Sequence, residues 1–554
     1  RIDRLPSVEK GVLQAASVIG TDVPFGLLQA IAGMPDEELR QHLVQLQSAE
    51  FLYETNLFPE LEHTFKHALT HEVAYGTLLG DRRRTLHARI VEAIERLFAG
   101  RLTEQVEQLA HHAVRGEVWD RAVTYLHEAG AKAFRRSTYP EAIAYLSQGL
   151  ELAGRLPAGR EQRRQELRML LALGPALQMT RGFGAAEVER TYARARELSE
   201  EIGEPTELFQ ALWGLWLHTA GRGRYNRARP FAEELLAVAE RLGDRALLLE
   251  AHHALSPSTL WSGDPEATRR HGEKGMALYD READGSLAFL YGGHDPGVCC
   301  RMHSGMALWF LGYPKSAVER SRAGLALARD LSHLASIVNA LPFAMIVHQL
   351  RGEGAVVREL AESIITLSTE RGFPQWLLFG KVFGALFQAE QGGGDAAIAQ
   401  LHGAIAEYRA TGNEIYVPGF FSLLATVLLK HGAADEGLGV VADALATAEA
   451  TGTRLWDSDY YRLKGELLLA RDSAAGQDAE IAFRQAIEIA RGQSAKSWEL
   501  RAAVSLGRLW QRRGKRQEAA RLLAEIHGWF TEGFDTADLM EAKSLLDELS
   551  LTST

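Results

Sequence analysis

The clearest hydrophobic pattern in the chain lies in the segment GQDAEIAFRQAIEIA, residues 476–490. Ala479, Phe483 and Ala486 are four and then three residues apart, so they share one face of a predicted helix. A small, a large and again a small residue on one face let a neighbouring helix pack closely. The pattern therefore predicts a pair of packed helices at this point of the chain.

The same kind of face recurs along the chain. Further copies are Ala519, Leu523, Ile526; Gly437, Val441, Ala444; Ala397, Leu401, Ala404; Val356, Leu360, Ser363; Ala228, Ala232, Leu235; and Val188, Tyr192, Ala195. Between positions 356 and 519, successive faces begin 40 to 42 residues apart, the period of one helix pair. Because one pair cannot cover its own apolar face, stacked pairs are expected to bury it against their neighbours.

The repeats are similar to the tetratricopeptide type, since Gly130 stands twelve residues before Ala142 as in that motif. Their period exceeds the ~34 residues of the ordinary motif. For residues 101–550 we predict a right-handed α-solenoid of about ten helix pairs.

The first hundred residues have a different pattern. Three short predicted helices, the second opening at Pro24 and the third at Pro35, precede two strand-like runs at 51–54 and 61–65. A turn containing Asn56 and Pro59 separates the runs. This order is typical of a winged helix, so residues 1–100 are predicted to form that domain with a small β-hairpin. The fold class is otherwise all-α.

One repeat is longer than the others, because Ala267 and Ala317 are 50 residues apart. The excess falls within residues 281–300, where Gly292, Gly293 and Pro296 predict a loop. Such a loop either caps a ligand pocket or forms a structural corner. The candidate effector-binding residues beside it are Trp261, His294, Asp295, Arg301 and Trp309.

Composition narrows the function classes for this chain of 554 residues. Acidic residues outnumber basic ones by 72 to 61, which argues against a nucleic-acid surface. The adjacent cysteines Cys299 and Cys300 are poorly placed for a disulfide and fit a reducing cytoplasm as packing thiols, with redox or metal chemistry as the alternative. No signal peptide and no apolar run of ~18 residues is present, so no membrane partner is expected. Since the chain begins at Arg1, we expect it to be cut from a longer polypeptide.

Catalytic motifs are missing from the sequence. It contains no phosphate-binding loop GxxxxGK[ST] and no nucleophile–base pair, so we predict neither enzymatic activity nor a cofactor in this chain. His67 and His71 are four residues apart but have no suitably spaced third ligand, and no metal site is predicted. The arginines at 82–84 are interpreted as a solvated helix start or an interdomain contact rather than a DNA-binding surface.

Two segments resemble a known family. The line FKHALTHEVAYGTLLGDRRRTLHARIVEAIE, residues 65–95, is similar to the winged-helix segment of bacterial signal-transduction P-loop ATPases, often fused to an adenylate/guanylate cyclase domain. Residues 528–549 resemble the final repeat and cap of the same proteins. The resemblance implies an NTPase core upstream in cis, with ATP or ADP and magnesium bound there.

The resemblance also implies a role for His67, since a histidine at the matching place in related ATPases contacts bound ADP. Several relatives have His-Asp at that point, whereas this chain has His67 followed by Ala68. The alternative is a histidine that makes only local hydrogen bonds.

The sequence analysis therefore predicts a cytoplasmic regulatory arm. Its repeats would bind a protein or small-molecule effector, and its winged helix would relay that event to the NTPase core. Two alternatives remain open: the effector-binding region of a large ATP-dependent transcriptional activator, and a passive protein-interaction scaffold.

Overall fold

The computed structural model describes residues 2–56, 61–391 and 394–550. The chain forms two compact units, with the boundary in the sequence between Leu173 and Gly174. Pro59, in the turn predicted between the two strands, lies outside the described residues. Among the helices of the described part, none is long and apolar enough to cross a membrane.

The helices and strands up to the unit boundary are as follows. They are α1 (Ser7–Ile19), β1 (Asp22–Pro24), α2 (Phe25–Ala32), α3 (Asp36–Ser48), β2 (Leu52–Asn56), β3 (Glu62–Phe65), α4 (Ala68–Gly76), α5 (Gly80–Leu97), α6 (Val106–Arg115), α7 (Trp119–Arg135), α8 (Tyr139–Ala153) and α9 (Arg160–Arg181), which contains the boundary, together with short 3₁₀ helices at Ile2–Arg4 and Leu102–Glu104.

The remaining helices belong to the second unit. They are α10 (Ala186–Ile202), α11 (Pro205–Gly221), α12 (Tyr225–Leu242), α13 (Arg245–Trp261), α14 (Pro265–Leu278), α15 (Leu287–Leu290), α16 (Pro296–Phe310), α17 (Pro314–Asp330), α18 (Leu334–Leu350), α19 (Gly354–Arg371), α20 (Pro374–Glu390), α21 (Gly394–Ala410), α22 (Val417–Lys430), α23 (Ala434–Thr451), α24 (Asp457–Arg471), α25 (Gly476–Gly492), α26 (Lys496–Arg512), α27 (Arg516–His527) and α28 (Ala537–Ser550).

In the first unit, α1, α2, α3 and α5 pack around a small antiparallel sheet with strand order β1-β3-β2. Asp36, Glu37 and Glu38 occupy the first turn of α3, where negative charge suits the positive end of a helix. The three helices and the two strands expected from the sequence are present. The structure adds β1, a three-residue strand that pairs with β3 through Val23 and His63.

In the second unit, consecutive helices pack together in pairs. The helix that comes earlier in the chain is called the first helix of its pair, and the one that follows is called the second helix. Gly465 of α24 permits one such contact, because a Cβ there would lie 2.4 Å from a ring carbon of Phe483 on α25. Ala479, Phe483 and Ala486 are all fully buried, which confirms the face predicted for α25. First helices are buried nearly all round, as in α13, whereas second helices such as α14 bury only one face.

The face predicted for α19 is wrong by one residue. Val356 and Leu360 are only partly buried and Ser363 is exposed, whereas Val357, Ala361 and Ile364 are buried. Two apolar stripes overlap in this helix, about 100° apart. The buried stripe is the one whose middle residue is Ala361 rather than Leu360. The smaller side chain lets α19 approach Gly380 of α20 closely.

Repeats in the second unit do not contact only their neighbours, contrary to the expectation from the sequence. Backbone N–H groups of Glu414 and Arg454 donate to the carbonyls of Gly221 and Trp261, at 2.7 and 2.8 Å. The hydroxyl of Ser497 donates to the carbonyl of Trp309 at 2.5 Å. The ends of α11, α13 and α16 thus contact the beginnings of α22, α24 and α26, each five helix pairs further on. These contacts provide hydrogen-bond donors for the backbone carbonyls that are left unpaired where a helix ends.

Candidate ligand-binding site

A cavity of about 360 Å³ lies in the second unit between the first helices α18, α20, α22, α24 and α26. This volume is in the range of small-molecule sites in proteins. Its wall combines aromatic residues with polar and charged ones. The aromatic lining residues are Trp261, Phe383, Phe387, Tyr416, Phe420, Trp456 and Trp498.

An ion pair on α24 supplies one polar part of the wall. Arg462 donates through Nε to Oδ1 of Asp459 at 2.8 Å, and the hydroxyl of Ser422 on α22 donates to Oδ2 of the same carboxylate. Burial alone would lower the pKa of Arg462, but the adjacent Asp459 carboxylate outweighs it and the pKa is raised. The guanidinium of Arg462 therefore stays charged inside the unit.

Arg501 of α26 also lines the cavity, and several contacts hold its side chain in place. Its Nε donates to Asp538 at 2.9 Å, and a terminal nitrogen donates to the carbonyl of Leu350 at 2.6 Å. Its guanidinium lies 5.0 Å from the ring centres of both Trp309 and Trp498. An arginine held in this way presents a fixed positive charge beside aromatic faces.

Two indole N–H groups in the wall are unsatisfied. Trp261 and Trp456 line the cavity, and neither indole nitrogen has a hydrogen-bond partner in the described part of the chain. A buried donor without a partner costs about 1–3 kcal/mol, which an acceptor that reached either nitrogen would recover. The cavity is therefore suited to a ligand with an apolar or aromatic body and acceptor oxygens.

The tryptophans predicted as effector-binding residues are both fully buried. Trp261 lines the cavity directly. Trp309 stands behind it, against Arg501 and Trp498. The structure thus brings these two residues to the same site.

The other three residues predicted for an effector site do not line this cavity. Asp295 caps α16 by accepting from the N–H of Val298 at 2.9 Å, and it also accepts from the hydroxyl of Tyr279. Arg301 donates to the carbonyl of Gly297 at 2.7 Å. The N–H of Asp295 donates to the hydroxyl of Ser336 on α18 at 2.8 Å. The guanidinium of Arg301 lies 5.6 Å from the ring centre of Tyr279. Both residues therefore anchor the connecting segment 279–295 between α14 and α16.

His294 lies in a second, much smaller cavity of about 30 Å³. One ligand-type atom from each of His253, His294 and Cys299 lies within 4.8 Å of the other two, and all three residues are buried. Nδ1 of His253 is 2.9 Å from Oε2 of Glu250, which is fully buried. Burial lowers the pKa of His253 to about 4 and that of His294 to about 3, so both imidazoles are neutral at pH 7.

His67 lies in the first unit, at the start of α4. Its side chain is exposed and makes no capping hydrogen bond to the helix. The arginines that follow are engaged locally: Arg83 donates to the carbonyl of Leu78 at 3.1 Å, and Arg84 pairs with Glu117 at 3.0 Å.

Sequence reasoning missed most of the cavity wall. The period located the second helices, but the wall comes from first helices such as α18 and α24, which are buried on most sides and show no single apolar face. One signal was present in α24, where Asp459 and Arg462 interrupt a helix that is otherwise buried like its counterparts. A charge pair three residues apart in a buried helix could have indicated a polar site.

No family model matches the chain. Among curated proteins it is similar to an uncharacterized protein of Rhizobium meliloti (strain 1021), with 25% identity over 503 residues that cover 90% of this chain and 48% of the relative. The chain thus spans about half the length of the curated relative that it matches.

Solved structures of limited similarity include a Rap protein complexed with competence and sporulation factor. Its TM-score is 0.43, with 12% identity, 72% of this chain covered and 99% of that chain. Another is a signal transduction ATPase with numerous domains and a tetratricopeptide repeat sensor from Pyrococcus horikoshii. Its TM-score is 0.33, with 13% identity, 74% of this chain covered and 64% of that chain.

Proposed function

We propose that this chain is the sensor region of a signalling protein and that the cavity between α18, α20, α22, α24 and α26 binds its effector. The observation that carries the proposal is the aromatic wall with two unpartnered indole N–H groups and two fixed arginines. The effector class is a small molecule, or the end of a peptide, with an aromatic or apolar body and acceptor oxygens.

The position of the cavity supports a sensing role. Its wall combines helices from five successive pairs with Trp261, whose carbonyl accepts from the N–H of Arg454 five pairs further on from α13. A ligand there contacts parts of the unit that are distant in sequence. Binding would therefore favour whichever arrangement of the repeats gives the better contacts, which is the requirement for coupling to another site.

The probe for this site is 8-anilinonaphthalene-1-sulfonate, an aromatic molecule with acceptor oxygens. We expect saturable binding of one molecule to the cavity. Thr426 of α22 lines the cavity, and Thr426→Trp should fill part of it and weaken probe binding at least tenfold, as measured by fluorescence titration.

Thr447→Trp is the matched control. Thr447 lies on the second helix α23, and its hydroxyl donates to the carbonyl four residues earlier, as that of Thr426 does. Equal probe affinity in both variants and the unchanged chain would contradict the proposed site.

We further propose that the first unit relays effector binding to an NTPase core in cis. The order of α1, β1, α2, α3, β2 and β3 supports the winged-helix interpretation of this unit, and the exposure of His67 leaves it accessible to a nucleotide. The relay through His67 rests on the family resemblance and is independent of the cavity.

The relay predicts that His67→Ala changes nucleotide turnover of the longer protein at least several-fold. His402→Ala is the control, because His402 is a half-exposed histidine of the second unit, paired with Glu436. Steady-state ATPase assays would distinguish the models, since a passive scaffold predicts identical turnover for all three proteins.

A further inference from the structure

The longer repeat brings nitrogen and sulfur ligands together inside the second unit. His253 comes from α13, His294 from the connecting segment 279–295, and Cys299 from the first turn of α16. Their ligand-type atoms lie within 4.8 Å of one another, the separation that a single ion can bridge with small side-chain adjustments.

The residues around these three have the arrangement of an outer ligand shell. Glu250 contacts Nδ1 of His253 at 2.9 Å, which leaves Nε2 of that ring for an ion, as in carboxylate–histidine–zinc triads. Asn339 of α18 donates to Sγ of Cys299 at 3.4 Å, a contact that stabilises a thiolate.

Unpartnered atoms point independently to a missing ligand. Nδ1 of His294 and Nδ1 of His303 are buried, and neither has a hydrogen-bond partner among the described residues. The exposed fractions of these two side chains are only 6% and 4%. Both line the cavity of about 30 Å³, together with His253, Cys299 and Asn339, and such a volume holds one small ion or one water.

We propose that His253, His294 and Cys299 bind one Zn²⁺ ion, with a water or His303 in the fourth position. Two imidazoles and a thiolate suit zinc, whereas magnesium and calcium prefer oxygen ligands. Binding replaces waters of the hydrated ion with the two imidazole nitrogens and Sγ. The Sγ–H bond of Cys299 breaks, and its proton leaves to solvent.

The thiolate of Cys299 would offset one of the two positive charges of Zn²⁺ inside this buried site. The ion would join α13, the connecting segment and α16, which gives the extra residues of the longer repeat a structural role. The sequence analysis predicts no metal site, although it leaves metal chemistry open as an alternative role of Cys299 and Cys300.

The adjacent cysteines provide a matched pair of variants. Sγ of Cys300 faces α14, where it would lie 2.5 Å from a Cβ at Gly275, and Cys300 is not part of the histidine cluster. The full chain is expressed in medium containing zinc, and in parallel in medium containing cobalt, and its metal content is measured after gel filtration.

We expect about one zinc per chain, and in the cobalt protein a near-ultraviolet band from sulfur-to-cobalt charge transfer. Cys299→Ser and His294→Gln should lose most of the metal and the band, whereas Cys300→Ser should keep both. Circular dichroism verifies the fold of each variant. If Cys299→Ser does not fold, the cobalt spectrum of the unchanged chain decides.

Three results would overturn the site. They are an unchanged chain without bound zinc or without the sulfur band, equal metal loss in Cys299→Ser and Cys300→Ser, and binding of copper but not zinc.

Discussion

His87 of α5 and His112 of α6 face each other inside the first unit, with 2.8 Å between their Nδ1 atoms. One neutral ring can donate to the other, but two protonated rings would bring donors together. Burial lowers the pKa of His87 to about 4 and that of His112 to about 3, and His111 and Arg115 add to the effect on His87.

These pKa values predict acid sensitivity of the first unit. Between about pH 6.5 and 4 the unfolded chain binds protons at both histidines and the folded chain does not, so stability is present above pH 6.5 and is lost as pH falls. Each histidine should contribute a loss on the order of 1–2 kcal/mol between pH 7 and 5. His112→Asn keeps a polar atom near the position of Nδ1 and should roughly halve the loss.

Hydrogen exchange of α5 and α6, corrected for the intrinsic rate at each pH, measures this effect. His67→Asn, at an exposed histidine of the same unit, should behave like the unchanged chain. A pH dependence that is the same with and without His112 would show that the buried pair is not its source.

At the scale of residues, the sequence pointed to candidate residues but not to the contacts that each of them makes. Trp261 was expected at an effector site and lines the cavity, but Asp295 was expected there and instead caps α16. Both are polar or aromatic residues near a loop, and the sequence offers no feature that separates the two outcomes. The contacts of Asp295 depend on the path of the 17 residues that reverse the chain direction between α14 and α16.

At the scale of elements, Gly465 lets α24 and α25 pack closely, because a side chain there would meet Phe483 at 2.4 Å. Gly465→Ala should therefore push the helices apart or displace the ring, at a cost on the order of 1–3 kcal/mol. Faster hydrogen exchange in both helices would be the measured result.

Gly384 of α20 is the control, since a Cβ there would meet no atom within 4 Å. Gly384→Ala should stabilise its helix by up to about 1 kcal/mol, because alanine loses less backbone entropy on folding than glycine. If Gly465→Ala and Gly384→Ala slow hydrogen exchange to the same extent, close helix packing is not the reason for a glycine at position 465.

Most helix pairs could be predicted from the sequence because second helices have one buried face and the face repeats. In α19, however, helix periodicity predicted the wrong buried face. There Val356 and Val357 begin two apolar stripes of similar strength, and only the neighbouring Gly380 of α20 selects between them. Helix periodicity carries no information on which side a partner approaches.

At the scale of the whole molecule, the second unit departs from a simple array of neighbours. Contacts such as Ser316 with Glu532, at 2.8 Å, join segments 216 residues apart. Local periodicity cannot predict such contacts, because they depend on the small rotation between repeats accumulated over five pairs. The cavity lies between helices of five pairs, so periodicity within single helices could not predict most of its wall.

The most direct test of the account is the location of the bound probe. A crystal or electron cryomicroscopy structure of the chain with 8-anilinonaphthalene-1-sulfonate should show it between α18, α20, α22, α24 and α26, with its sulfonate accepting from Trp261 or Trp456. A probe bound instead to exposed apolar residues of the first unit, such as Leu69 and Leu79, with this cavity unchanged, would contradict the account.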